Sequence, residues 1–175
     1  MRGKIIFVIG GARSGKSSFA LKEASEVSGK KAYIATAEAL DSEMKDRIER
    51  HKKDRGNNWD TYEEPLKISN VLFDIKTKYD VIVVDCLTLW LSNLMSRNSD
   101  IFNEIEKFIN ALRITHHASR IYIVSNEVGM GIVPDNEMAR EFRELAGFLN
   151  QKIAEIADEV YLVTAGIPIK IKNAK

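Results

Sequence analysis

The sequence predicts a doubly wound α/β domain: a mostly parallel sheet with helices on both faces and an antiparallel strand at its C-terminal edge. Three observations carry this expectation. Short apolar runs rich in Val, Ile and Tyr alternate with longer stretches of helical periodicity. Most of these runs are apolar throughout rather than at every second residue, as parallel strands covered on both faces are. The first run also opens into a glycine-rich loop followed at once by a helical pattern. Open α/β sheets hold their ligands at such carboxyl ends of strands.

Strands are expected at residues 4–9, 31–36, 80–85, 120–125 and 159–163. Helices are expected near 16–28, 41–55, 65–78, 103–117 and 136–157. Thr164-Ala165-Gly166 separates the last strand from a further apolar run at 167–171, and so short a link fits a hairpin. Met138, Phe142, Leu145, Leu149, Ile153 and Ile156 recur at helical spacing and read as core. Trp90, between Leu89 and Leu91, reads as packing or as a subunit contact. No repeat, low-complexity stretch or linker interrupts the 175 residues, so a single domain spanning 1–175 is expected.

Composition excludes several classes of function. The chain is 45% hydrophobic and 29% charged with a net charge of +1, so no bulk field draws it toward nucleic acid or a membrane surface. No apolar run is long enough to span a bilayer. A strand begins at Lys4, so no signal peptide is expected. The lone Cys86 rules out an internal disulfide and suits a reducing compartment, which makes the cytoplasm the expected location.

The glycine-rich loop reads Gly10-Gly11-Ala12-Arg13-Ser14-Gly15-Lys16-Ser17. This is a complete phosphate-binding loop between a strand and a helix, of the P-loop NTPase type. Gly10 and Gly15 let the backbone turn tightly and aim its N–H groups at phosphate oxygens, while Lys16 reaches the β- and γ-phosphates. Ser17 can ligand Mg²⁺, and the helix opening near Lys16 adds its positive end to the same anion site. The strand at 80–85 ends in Asp85, which would hold that Mg²⁺ directly or through water. A strand-terminal Asp can instead cap a following helix, here one starting at Leu87.

A second segment stands out. Asp41 is read as the cap of a helix in which Leu40, Met44, Ile48, His51 and Arg55 share one face. Arg47, Arg50, Lys52, Lys53 and Arg55 surround His51 in sequence. An ordinary packed histidine in a solvated basic helix is one reading. The other is chemical: such cations favour the neutral imidazole, a competent nucleophile toward phosphorus, and can neutralise charge on a phosphoryl transition state. Asn126-Glu127-Val128-Gly129-Met130-Gly131 follows another strand, and reads either as a substrate-contacting loop or as a turn before the next helix. His116-His117 falls at a helix end, where a dipole contact explains it better than a metal.

Four uses of the phosphate loop compete. A switch GTPase needs a D-x-x-G element, and no Asp here stands three residues before a Gly. Thr77-Lys78-Tyr79-Asp80 matches a guanine-reading pattern but precedes a strand instead of following one. A motor ATPase would be longer, with nucleic-acid-binding loops. A simple small-molecule kinase fits the length but leaves the His51 cluster unused, and a non-catalytic nucleotide-binding module explains only the loop.

Nearly end to end, the chain resembles the bifunctional adenosylcobinamide kinase/adenosylcobinamide-phosphate guanylyltransferases of cobalamin biosynthesis. Beyond the phosphate loop the likeness lies in Tyr33-Ile34-Ala35-Thr36-Ala37, in R-I-x-x-H-x-x-x-R-x-x-x-W from Arg47 to Trp59, and in Thr61-x-Glu63. It continues through Asp85-Cys86-Leu87-Thr88, Ser125-Asn126-Glu127-Val128-Gly129 and Ala165-Gly166-Ile167-Pro168. The resemblance implies that a nucleoside triphosphate, ATP or GTP, phosphorylates the aminopropanol hydroxyl of adenosylcobinamide. GTP then guanylylates a histidine, and GMP passes to adenosylcobinamide phosphate. It implies that His51 is the guanylylated residue, with nucleotide contacts from the phosphate loop, Ile34, Ala35, Thr36, Lys52, Lys53, Asp54, Arg55, Glu63 and Asp85. It also implies a homotrimer in which the histidine-bearing helix lies near a neighbouring subunit, with apolar surface near Trp90 as a candidate contact. One position departs: Gly56 stands where the family often has Pro, and a looser helix exit is expected there.

Overall fold

Residues 3–39 and 42–173 are described by a computed structural model, which for residues 42–44, Arg47, Arg50, His51, Asp54 and Asn57 describes the backbone only. The elements run β1 (Lys4–Gly10), α1 (Lys16–Glu26), β2 (Lys31–Ala35), α2 (Ser42–Arg55), β3 (Asp60–Glu63) and α3 (Ile68–Ile75). They continue β4 (Val81–Asp85), α4 (Leu87–Ser96), α5 (Ile101–Thr115), β5 (Arg120–Asn126), α6 (Glu137–Ile156), β6 (Glu159–Thr164) and β7 (Ile167–Lys172). Seven strands form one sheet in the order β3-β2-β4-β5-β1-β6-β7. Every pairing is parallel except the β6–β7 hairpin at the edge. The doubly wound expectation and its antiparallel edge strand are both met.

Alternate residues of each central strand feed two cores, which is why the strands read as apolar throughout. Ile5, Phe7, Ile34, Ile82, Val84, Ile121 and Ile123 pack under α3, α4, α5 and α6. Ile6, Val8, Tyr33, Val83, Tyr122 and Val124 pack on the other face with Ala20 and Ala24 of α1. Trp90 is fully buried, donates its indole N–H to the Leu66 carbonyl at 2.8 Å and lies 5.3 Å from the Phe108 ring. Of its two readings, packing is the one observed.

Several expectations need correction. β3 was not expected: four residues with one half-buried side chain, Tyr62, leave no apolar run to find. Its place at the edge is held by the Tyr79 hydroxyl, which bonds Asp60 at 2.7 Å and Tyr62 at 2.9 Å. α3 begins three residues later than expected because Glu64 accepts from the amides of Leu66 and Lys67 at 2.9 and 2.8 Å, fixing a turn there. α5 starts two residues earlier, capped by Asp100, which accepts from the Asn103 amide at 3.2 Å. Met138 is not core: it is 74% exposed, because burial on α6 is complete only from Ala146 onward. Leu40 and Asp41, expected at the start of α2, lie outside the described residues, as does the side chain of Met44.

The phosphate-loop side of the sheet is distinct from the opposite edge. Asp80, which ends the Thr77–Asp80 pattern, accepts from the Lys30 amide at 2.8 Å beyond the amino end of β4. It is a structural tie and no nucleotide reader. His116 and His117 stack 4.0 Å apart at the end of α5, with His116 Nδ1 3.3 Å from the Leu112 carbonyl, as a helix-end role requires.

Glu104 of α5 is almost fully buried and takes both Lys67, at the start of α3, and Lys107 at 2.9 and 3.0 Å. Burial pushes its carboxyl up, but the two ammonium groups outweigh that and hold it below the ordinary 4.5. A depressed folded-state value contributes stability above the unfolded one and loses it as pH falls. Glu104→Gln should therefore cost about 1–2 kcal/mol at pH 7, with the difference from wild type shrinking below about pH 4.5, as read by urea unfolding across pH.

Candidate functional site

β1 places Gly10 beside Asn126 of β5 and Val163 of β6, so the phosphate loop rises from the middle of the sheet's carboxyl edge. Gly15 takes φ 93°, the left-handed region, and a Cβ there would also press on Gly166 at 3.2 Å. α1 then starts at Lys16 with no acidic residue in its first turn, leaving its positive end uncompensated. Lys16 is buried and donates from Nζ to the Gly11 carbonyl at 2.9 Å, across the loop. The Ser14 hydroxyl is buried and has no hydrogen-bond partner among the described residues. These are the donors of an anion cradle, and they fit a polyphosphate. The β6–β7 turn clamps the loop, with the Gly166 amide donating to the Ser14 carbonyl at 2.8 Å.

Asp85 ends β4, where β2 and β5 flank it. It does not cap α4, whose cap position is Cys86 without a side-chain bond. Its Oδ2 instead accepts from the Tyr33 hydroxyl at 2.7 Å. Burial, and then the neighbouring carboxylate, push the Tyr33 hydroxyl well above its ordinary 10, so it stays protonated and donates. On the Tyr33 ring sits the Arg55 guanidinium, 4.0 Å from the centroid, and Trp59 meets the same ring edge-on at 6.2 Å. Arg55, the last residue of α2, is itself buried. A continuous chain of contacts thus runs from the histidine-bearing helix through Arg55 and Tyr33 to Asp85.

Next to Asp85, Thr36 closes the gap between β2 and α4. Its hydroxyl donates to the Cys86 carbonyl and accepts from the Cys86 amide, both at 2.8 Å. Asn93 of α4 donates to the Thr36 and Pro65 carbonyls at 2.8 and 3.1 Å. Burial pushes the Cys86 thiol up, so it stays a neutral packing group. Ile34 is fully buried and Ala35 half-buried. Lys52 and Glu63 form an ion pair between α2 and β3, and Lys53 is exposed. His51 lies in α2, but its side chain and that of Asp54 are outside the described residues. Gly56 leaves α2 at φ 67°, a value proline cannot take, and a single 3₁₀ turn over Gly56–Asn58 leads to buried Trp59. The helix exit before Trp59 is thus one short turn.

Among the described residues no group of three or more His, Cys, Asp or Glu could hold a metal. Ser17 and Asp85 supply hard oxygen donors, which fit Mg²⁺, an ion that keeps waters and takes phosphate oxygens besides one or two protein ligands. Glu127 accepts from the Gly129 amide at 2.7 Å, as its turn reading requires, and Asn126 is tied to Thr88 and Asn150 through its backbone at 2.9 and 3.1 Å. Sequence reasoning missed the role of Tyr33. The signal was present: a hydroxyl-bearing aromatic stands between Ala32 and Ile34, two residues before the one that pairs with Asp85.

The comparisons with known proteins follow this geometry. The sequence matches the family described as cobinamide kinase / cobinamide phosphate guanyltransferase over residues 6–171. It is 41% identical to the bifunctional adenosylcobalamin biosynthesis protein CobP of Pseudomonas aeruginosa, covering 95% of this chain and 96% of that one. It is 37% identical to the bifunctional adenosylcobalamin biosynthesis protein CobU of Escherichia coli and 38% identical to that of Salmonella typhimurium. Each of those alignments covers 96% of this chain and 99% of the relative. With its phosphate loop, its strand-ending Asp85 and this end-to-end likeness, the chain belongs to the cobinamide kinase / cobinamide phosphate guanyltransferase family.

Proposed function

We propose that the chain phosphorylates adenosylcobinamide on its aminopropanol hydroxyl and then transfers GMP from GTP to the product through a guanylyl-histidine, giving adenosylcobinamide-GDP. Membership of the family supports the two activities. The observation that carries a single shared site is the contact chain from α2 through Arg55 and Tyr33 to Asp85. It ties the helix that bears His51 to the carboxylate beside the phosphate loop.

In the first reaction the loop amides and Lys16 hold the triphosphate of ATP or GTP. The acceptor hydroxyl oxygen attacks the γ-phosphorus, the bond to the β–γ bridging oxygen breaks, and the nucleoside diphosphate leaves as the hydroxyl proton passes to water. Mg²⁺ held by Ser17 and Asp85 would neutralise charge on the phosphates. In the second reaction a ring nitrogen of His51 attacks the α-phosphorus of GTP, a P–N bond forms, and pyrophosphate departs on the loop. A phosphate oxygen of adenosylcobinamide phosphate then attacks the same phosphorus, and the P–N bond breaks to release His51. Lys52, Lys53, Asp54, Arg55, Glu63 and the stretch Ile34, Ala35 and Thr36 border this nucleotide. No described helix is long and apolar enough to cross a membrane. We place the enzyme in the cytoplasm as a homotrimer, in keeping with soluble substrates and a reduced Cys86.

Incubation with α-labelled GTP and Mg²⁺ should leave acid-labile, alkali-stable label on the wild type and none on His51→Ala, while His51→Ala keeps its kinase activity. Equal labelling of both would end the nucleophile assignment, and an unlabelled wild type that still phosphorylates would leave a simple kinase. Lys16→Ala should lower kcat for adenosylcobinamide phosphorylation by about 10²-fold or more; turnover within a few-fold of wild type would remove the loop from catalysis. Tyr33→Phe frees Asp85 and should lower kcat of both reactions about tenfold while raising the Mg²⁺ needed for half-maximal rate. An unchanged Mg²⁺ titration would show that Tyr33 merely packs.

A further inference from the structure

β5 lies between the strand that opens the phosphate loop and the strand that ends in Asp85, in the order β4-β5-β1. Its last residue, Asn126, is level with Gly10 and stands two residues past Val124, the partner of Asp85. Three neighbouring strands thus end side by side in a carboxylate, a carboxamide and the phosphate loop. Side chains alternate along a strand, and on β5 Tyr122 and Val124 pack on the α1 face while Ile121 and Ile123 pack on the other. Asn126 continues the Tyr122 and Val124 set. The same alternation puts Tyr33, Val83 and Asp85 on that face, in agreement with the Tyr33–Asp85 bond.

The phosphate loop folds over this face as well. On β1, Ile6 and Val8 pack there, and Gly10 is the next of their set. A Cβ on Gly10 would come within 2.6 Å of the Ser14 hydroxyl, so the loop returns over the face that Gly10 and its neighbour Asn126 share. Ser14 is buried there, its hydroxyl without a hydrogen-bond partner among the described residues.

Asn126 is fixed at its backbone and uncommitted at its side chain. Its amide donates to the Thr88 hydroxyl at 2.9 Å, and its carbonyl accepts from the Asn150 carboxamide at 3.1 Å. Thr88 of α4 and Asn150 of α6 are both buried, so the residue is held from two helices. Its own carboxamide is half-buried and makes no hydrogen bond to another described residue. A polar group so held and so unpaired is suited to a ligand. Its two neighbours say which one: a loop that fits the β- and γ-phosphates, and a carboxylate that fits the metal bound to them.

We infer that the Asn126 carboxamide donates from Nδ2 to a γ-phosphate oxygen of the bound triphosphate and steadies the γ-phosphoryl group as it passes to the acceptor hydroxyl. This rests on the kinase reading above. In that step the bond from the γ-phosphorus to the β–γ bridging oxygen breaks as the bond to the acceptor oxygen forms. The other γ-oxygens stay charged throughout, and a donor already in place holds them in line without reorganising. In guanylyl transfer the same oxygens belong to the departing pyrophosphate, while bonds change at the α-phosphorus. Asn126 therefore matters less to the second reaction than to the first.

The test uses Asn126→Ala and Asn126→Asp in the full chain. Both keep the backbone bonds to Thr88 and Asn150, so thermal unfolding should stay within a few degrees of wild type. In the presence of Mg²⁺, Asn126→Ala should bind a fluorescent non-hydrolysable GTP analogue about tenfold more weakly, and fluorescent GDP within twofold of wild type. Asn126→Asp sets a carboxylate against the phosphate and should lose more triphosphate affinity than Asn126→Ala. In Asn126→Ala, kcat for adenosylcobinamide phosphorylation should fall about 10²-fold, and the rate of protein labelling by α-labelled GTP at least tenfold less than that. Wild-type affinity for the GTP analogue in Asn126→Asp would overturn the contact. So would equal losses for GTP analogue and GDP, which would mark a loosened site. A wild type that binds the analogue but phosphorylates no adenosylcobinamide would remove the kinase reading alone, because the binding comparison contains no corrinoid and decides the contact by itself.

Discussion

One hydrogen bond organises the site. The Tyr33 hydroxyl lies in a buried layer between the sheet and α1, where ionising it is costly, so it stays a donor and keeps Asp85 turned toward it. The same ring is the platform on which Arg55 lands, and Arg55 is where α2 ends. A cation stacked on an aromatic face keeps its charge while sharing the ring's low-dielectric surroundings, so the contact is firmer than an exposed ion pair. Trp59 closes the ring from the side. The strand that carries Asp85, the helix that carries His51 and the turn at Gly56 are thereby referred to one side chain. In the proposed chemistry, that common reference lets one site hold a triphosphate for attack at its γ-phosphorus in the first reaction and another for attack at its α-phosphorus in the second.

How much of this could be read in advance depended on the reach of the forces involved. The central strands and the long helices declare themselves locally, because burial on both faces leaves unbroken runs of Val and Ile, and α6 carries a stripe over five turns. The phosphate loop declares itself because its glycines, lysine and serine stand at a fixed spacing between a strand and a helix. β3 did not, since its fixing bonds come from Tyr79 and its own sequence is half charged. The start of α3 was displaced by Glu64, a side chain whose two amide partners are visible only in three dimensions. Met138 shows the limit of periodicity: the stripe on α6 is continuous in sequence, but the layer it packs against does not extend to the first turn. The candidate site divides in the same way. Lys16, Ser17 and Asp85 follow from strand and loop grammar, whereas the Tyr33–Arg55 pairing joins residues 22 positions apart through the sheet interior.

The Thr36–Cys86–Asn93 network adds a second kind of order. Where β2 and β4 stop pairing, the backbone of Thr36 and Cys86 would be left with unmet groups in a dry layer. One hydroxyl and one carboxamide satisfy three of these groups, and the carboxamide also holds the Pro65 carbonyl. The sheet therefore ends in a defined polar seam, and Asp85 is presented from a rigid edge instead of a loose one.

The clamp of Gly166 on Ser14 has a consequence for how the protein comes into being. β1 is the first strand made, yet its only sheet neighbours are β5 and β6, and the turn that grips the phosphate loop follows β6. On a ribosome, the loop is translated with α1 but long before β5, β6 and the Gly166 turn. The nascent chain can build β2, β4 and their helices while residues 10–17 wait without a frame. Nucleotide binding thus arrives late and all at once during synthesis, as a report that the sheet has closed around its oldest strand.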